Sequence, residues 1–178
     1  MAAPAEVLLI NKEYLVKMTN LSGSVDTDMV TSSIILAQDI HLTPVLGTRL
    51  MQAVKEGEYT ELLDNYIRKA LVWWVFADIL GKLYVRVENG GLFMRSAQNG
   101  DQITSDEYRM KRNECESNAR LYTSMLSDYL SANHNLFPEL NQNSFPDKSP
   151  QGSPYKRKRI RISGGARVES TRDQDKYL

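Results

Sequence analysis

His41 and His134 are the only histidines in the chain and Cys115 is its only cysteine, so metal or nucleophile chemistry would have to be built from very few side chains. A zinc site needs several thiolates or imidazoles at short spacing, and neither histidine has a second ligand one helical turn away. Asp39 precedes His41 by two residues, which places it on a different helix face. Both histidines fall where helices are expected to end, and they read as side chains favoured by the negative end of the helix dipole. Cys115 aligns with Tyr108 and Tyr122 at heptad steps and reads as a small core residue rather than a nucleophile. Asp78 is the lone acid in the apolar stretch from Ala70 to Gly81. An unpaired buried carboxylate is costly, so Lys82, four residues on, is its expected partner. No glycine-rich phosphate loop, Walker-type lysine or paired-carboxylate motif is present, and Asn89-Gly90-Gly91 lacks the strand-to-helix setting of a nucleotide site. The expectation is a protein that is not an enzyme, with no cofactor and no metal.

Charge is the more informative pattern. The formal net charge is zero over 178 residues, yet residues 1–140 hold 13 Lys and Arg against 18 Asp and Glu, a net of −5. Residues 141–178 hold 9 against 4, a net of +5. The basic excess centres on the run Tyr155, Lys156, Arg157, Lys158, Arg159, Ile160, Arg161 and Ile162, which follows a polar linker interrupted by Pro146, Pro150 and Pro154. No helix is expected to carry that run out of the body. It admits three readings: a solvated tail, a phosphate-binding segment whose affinity falls steeply with salt, and an extended arm. Arg157, Arg159 and Arg161 alternate with Lys158, Ile160 and Ile162, the period of two that a strand shows. Phosphate binding does not require isoleucines in alternation, so the arm, able to complete a sheet on a neighbouring subunit, is the preferred reading.

The length suits one domain, residues 1–140, with an appendage, residues 141–178, and a composition 42% apolar and 25% charged is that of a chain that folds. The N-terminal residues lack the pattern of an export signal. The run from Ala70 to Gly81 is shorter than the roughly 20 residues that cross a bilayer. Synthesis in a cytoplasm, without a membrane partner, is the expectation.

These side chains must be positioned mainly by helices. After a short extended entry at Val7 to Ile10, Asn11 caps a helix bearing Tyr14, Leu15 and Met18, which Gly23 ends. Asp26 or Thr27 caps a second helix reaching His41, and Thr43-Pro44 is expected to break it. A shorter helix spans Val45 to Lys55 and stops at Gly57. The long central helix, Thr60 to Tyr84, carries Leu63, Ile67, Ala70, Trp74, Ala77, Gly81 and Tyr84 at alternating spacings of four and three, a seam for another helix. Further apolar residues surround it, so it must be covered on every side, by its own domain or by neighbouring copies. From Val85 to Ser105 two β-like pieces, Val85-Arg86-Val87 and Leu92-Phe93-Met94, flank an Asn-Gly step, the signal for a projecting hairpin or loop and a natural contact surface. Thr104 or Ser105 caps a last long helix with Tyr108, Cys115, Tyr122 and Tyr129 at heptad steps and Ala119, Met125 and Leu126 beside them. It fades near Asn133, and Phe137 to Leu140 closes the domain. The expected fold class is mainly α: a helical bundle with a long central helix, a projecting β-hairpin or loop, and an extended C-terminal arm.

In that order of elements, the segments Ile34-Ile35-Leu36-Ala37-Gln38-Asp39-Ile40, Pro44-Val45-Leu46-Gly47-Thr48-Arg49-Leu50 and Glu61 to Leu71 resemble head–tail connector (adaptor) proteins of tailed bacteriophages. They look closest to those of crAss-like phages. The resemblance covers roughly Val7 to Leu140 and rests on packing patterns. It implies a structural virion protein, a mainly helical protomer that assembles beneath the portal protein as a homo-oligomeric ring, usually a dodecamer, and extends the DNA channel. Its implied partners are the portal, neighbouring copies, the next tail or ring component and, nonspecifically, packaged DNA. The tail departs from shorter members of that family. Tyr155 to Ile162 and Leu92, Phe93 and Met94 are the expected partner-binding residues. The competing expectation is a DNA-binding module that uses the basic tail.

Overall fold

The computed structural model describes residues 6–88, 91–94 and 103–141. The fold is mainly α. Its helices are α1 (Lys12–Met18), α2 (Thr27–Ala37), α3 (Thr43–Lys55), α4 (Thr60–Leu62), α5 (Arg68–Tyr84) and α6 (Ser105–Ala132). Two π-helical turns, Gln38–Leu42 and Leu63–Ile67, join α2 to α3 and α4 to α5. Short 3-10 turns at His134–Leu136 and Pro138–Asn141 follow α6.

Local chemistry explains most boundaries. The Asn11 side chain accepts the Tyr14 N–H at the start of α1, and Asp26 accepts the Asp28 N–H at the start of α2, each satisfying an orphan donor of the first turn. Thr104 and Glu107 form a reciprocal capping box on α6. Gly57, with φ 94°, ends α3 in a Schellman arrangement: the Glu58 N–H reaches the Ala53 carbonyl and the Gly57 N–H that of Val54. Helix α1 stops at Met18, well before Gly23, because Thr19 is extended and its hydroxyl donates to the Leu15 carbonyl.

Pro44 does not break the helical path. The Thr43 N–H bonds back five residues to the Gln38 carbonyl, and this wider turn accommodates the Pro44 ring at the start of α3. The break comes at Gly47, with φ 76° and ψ 163°, a conformation essentially confined to glycine. The helical run Thr27–Lys55 has the length and apolar composition of a membrane span. Much of its apolar surface nevertheless lies in the protein core, at Val30, Ile34, Leu42, Leu46 and Leu50.

At the centre is α5, antiparallel to α6, since Tyr84 stacks on Tyr108 at one end and Tyr66 on Tyr129 at the other. Small residues let the two helices approach: a β-carbon at Gly81 would lie 3.5 Å from the Tyr108 hydroxyl. The chain itself covers most of the central helix. Ala70, Leu71, Val72, Val75, Phe76 and Ile79 are buried within one copy, so neighbouring subunits are not required to shield them. On α6, Cys115, Ala119 and Leu126 are core residues, whereas Met125 points outward.

The β1 strand (Val85–Glu88) continues directly from α5 and pairs antiparallel with β2 (Gly91–Met94), Val85 facing Met94 and Glu88 facing Gly91. Asn89 and Gly90 lie outside the described residues, as does the expected arm beyond Asn141.

Candidate interaction surfaces

The polar groups that sequence spacing singled out are gathered around α5. The His41 ring stacks on Trp74, with centroids 3.6 Å apart and planes within 4°. The Trp74 indole N–H donates to the Thr123 hydroxyl at 3.0 Å, which donates in turn to the Ala119 carbonyl at 2.7 Å. His41 is therefore packed on an aromatic face inside a π-helical turn rather than set at a helix end, which corrects the dipole reading. Burial lowers its pKa, opposed by the negative charges of Glu116 and Asp78. Glu116 is held on both sides by Arg112 at 3.0 Å and Arg120 at 2.9 Å.

Asp78 has the expected partner. Its Oδ2 lies 2.9 Å from Lys82 Nζ, an ion-pair distance, although that oxygen has no partner in hydrogen-bond geometry. The Lys82 ammonium also donates to Ser33 Oγ at 2.7 Å and Ser32 Oγ at 3.3 Å on α2. The pair thus ties α5 to α2 and is structural. Cys115 is fully buried, and burial raises its thiol pKa, which suppresses the thiolate a nucleophile needs. His134 is exposed at the first position of its 3-10 turn. Among the described residues, no three His, Cys, Asp or Glu side chains are grouped to hold a metal ion.

Sequence spacing missed two features. Gln38, fully buried, clamps the N-terminal segment by accepting the Leu9 N–H and donating to the Val7 carbonyl. Arg68 adds a bond from Nε to the Leu9 carbonyl at 3.1 Å and lies over the Tyr14 ring. Both clamping residues sit at π-helical turns, and a π-turn carries no sequence signature as plain as a cap or a glycine.

The second missed feature is a groove between the start of α4 and the end of α6. Tyr59, Glu61, Leu62, Tyr129, Leu136 and Phe137 line it around an open volume of about 360 Å³. Tyr59 has φ 54° and ψ 46°, a left-handed conformation uncommon for so bulky a residue. Its ring meets Phe137 edge-on at 5.1 Å, and its hydroxyl donates to Glu139 Oε2 at 2.7 Å. That bond, then burial, then the nearby charges of Glu139 and Glu58, push the Tyr59 pKa up to about 12.

Of the expected partner-binding residues, Leu92, Phe93 and Met94 fall on β2, opposite Val87, Arg86 and Val85. Tyr155 to Ile162 lie outside the described residues. The two groups are not brought together.

Comparison with curated proteins and with solved structures gave no significant match. A family model does match, over residues 42–149, which is more than half of the chain and spans α3 to the end of the described body. On that match, the chain belongs to DUF6712, a family of unknown function.

Proposed function

We propose that this chain is a noncatalytic structural component of a tailed-phage virion, an adaptor that forms a ring between portal and tail and keeps the DNA channel continuous. It is made in the host cytoplasm and resides at the head–tail junction. The observation that carries the reading is an apolar stripe on the outer face of α6. Met110, Leu121 and Met125 are 72%, 57% and 46% exposed and fall within a sector of about 60° at 100° per residue, which they share with the exposed carboxylates of Glu114 and Asp128. That sector faces away from buried Cys115, Ala119 and Leu126. A body that closes its own core yet keeps an outward apolar stripe is suited to repeated contact with a second, different surface, the head-to-tail arrangement that closes a ring. The strand pair β1–β2, read as a projecting hairpin with Leu92, Phe93 and Met94 on one strand, serves as the axial contact. Tyr155 to Ile162 serve as an arm to the portal or to a neighbour.

The test is reconstitution with purified portal, imaged as particles. Wild type should form rings on the portal, and Leu121→Arg, an exposed change that spares the core, should abolish them. Unaltered rings would remove the α6 stripe from the reading, and absence of the chain from the portal vertex of intact particles would end it.

The competing reading, a DNA-binding module, draws on the five cations between Lys156 and Arg161. Deleting residues 141–178 separates the two. Loss of portal or neighbour binding supports the adaptor, and loss of only salt-sensitive DNA binding from a monomer supports the module.

A further inference from the structure

We propose that the groove beside Tyr59 is the docking site for the chain's own basic segment, Tyr155 to Ile162, held in cis. This does not depend on the adaptor reading.

Three observations carry the inference. The groove is aromatic and apolar at its floor, with Tyr59, Tyr129, Leu136 and Phe137, while its rim is acidic, with Glu61 in the lining and Glu58 and Glu139 around the Tyr59 hydroxyl. None of the residues lining it is Lys or Arg, so the lining itself sets no positive charge against a cationic occupant. The segment combines the two chemistries required, isoleucines at 160 and 162 for the floor and Lys156 to Arg161 for the rim.

The second observation is position. The described chain ends at Asn141, in the same turn as Glu139, whose carboxylate is bonded to Tyr59. The exit therefore lies at the groove. Residues 142–154 intervene before Tyr155, and they span up to about 45 Å at roughly 3.5 Å per residue. The tether reaches the groove easily and raises the segment's local concentration to the order of 1 mM. A second copy would have to compete with that.

The third is strain. The left-handed backbone at Tyr59 persists because its hydroxyl and its ring are both held, by Glu139 and Phe137, and a strained residue held by its surroundings marks a surface worth examining for binding. Its side chain lines the groove.

The experiment uses the full chain, mixed from isotopically heavy and light preparations and treated with a carbodiimide that joins lysine to carboxylate. Links from Lys156 and Lys158 should concentrate on Glu58 and Glu61 and join residues of the same isotopic copy. In parallel, trypsin should cut between Lys156 and Arg161 about tenfold more slowly in wild type than in Glu58→Gln/Glu61→Gln, if the segment's own affinity is on the order of 0.1 mM against that local concentration. An Ile160→Ser/Ile162→Ser chain, in which every described residue is unchanged, should lose the protection equally. Equal cleavage of all three chains would overturn the proposal. So would links spread evenly over exposed carboxylates such as Glu13, Asp28 and Asp106. Links between heavy and light copies would overturn docking in cis and place a second copy's segment in the groove.

Discussion

Gln38 holds Leu9 by a buried amide contact across 29 residues of sequence: Oε1 accepts the Leu9 N–H at 2.8 Å while Nε2 donates to the Val7 carbonyl at 3.2 Å. The side chain acts as a peptide unit would in a sheet, satisfying a backbone segment that no strand or helix satisfies. Loss of a partner that leaves a buried donor or acceptor unsatisfied costs about 1–3 kcal/mol. Gln38→Met, which keeps the volume and loses the amide, should therefore destabilise by about that amount. Urea unfolding measures the cost, and native-state exchange of the Leu9 amide should accelerate in step.

Gly47 should tolerate no side chain. Its φ of 76° and ψ of 163° are accessible essentially to glycine alone, and Gly47→Ala should cost about 1–3 kcal/mol in strain. A drop in thermal midpoint checks this. Pro44→Ala should cost much less, because alanine adopts the helical backbone of Pro44 without strain.

His41 should make stability fall on the acid side of neutrality. Its folded pKa lies below the ordinary 6.5 because burial against Trp74 disfavours the imidazolium. The folded state therefore binds fewer protons than the unfolded state as pH falls through 6.5. The contribution is full above that value and is lost progressively below it, through the lowered folded pKa. Glu116 and Asp78 attract the imidazolium and moderate the loss. Unfolding measured from pH 8 to pH 5 should show the decline, and His41→Phe, which keeps a stacked ring, should flatten it.

Cys115 should be inert in the native protein. A fully buried thiol with a pKa raised by burial reacts with a disulfide reagent only when the fold opens. Its modification rate should rise with denaturant in parallel with global unfolding, and rapid modification under native conditions would contradict the packing of α5 on α6.

Trp74→Phe should distinguish stacking from hydrogen bonding in the seam. Phenylalanine keeps a ring against His41 but leaves the Thr123 hydroxyl without the indole donor, a net loss of about 1 kcal/mol. Truncation to alanine should cost about 3–5 kcal/mol through the cavity it leaves.

Much of the helical layout was legible because local rules specify it. Asn11, Asp26 and Thr104 cap because short polar side chains reach the free N–H groups of a first turn. Gly57 stops α3 because the chain there needs a positive φ. The Asp78–Lys82 pair was legible for the same reason, since four residues make one helical turn. Pro44 misled because the rule against a residue before proline assumes an α-turn, and a π-turn relieves it. The stretch around His41 misled because the stack on Trp74 joins residues 33 apart in sequence.

What the amino-acid order determined by itself is what a single turn or a single face can encode: where helices start, which stripe of each is apolar, and that charge is divided between body and tail. Whether the apolar surround of α5 is covered by this chain or by its neighbours is not a local property. The fold decided it by laying α6 antiparallel along α5 and α2 beside it. The Tyr59 groove exists for the same reason, since its walls come from the start of α4 and the turns beyond α6. Packing brings such surfaces together only when every helix is in place, so their chemistry becomes visible only in three dimensions.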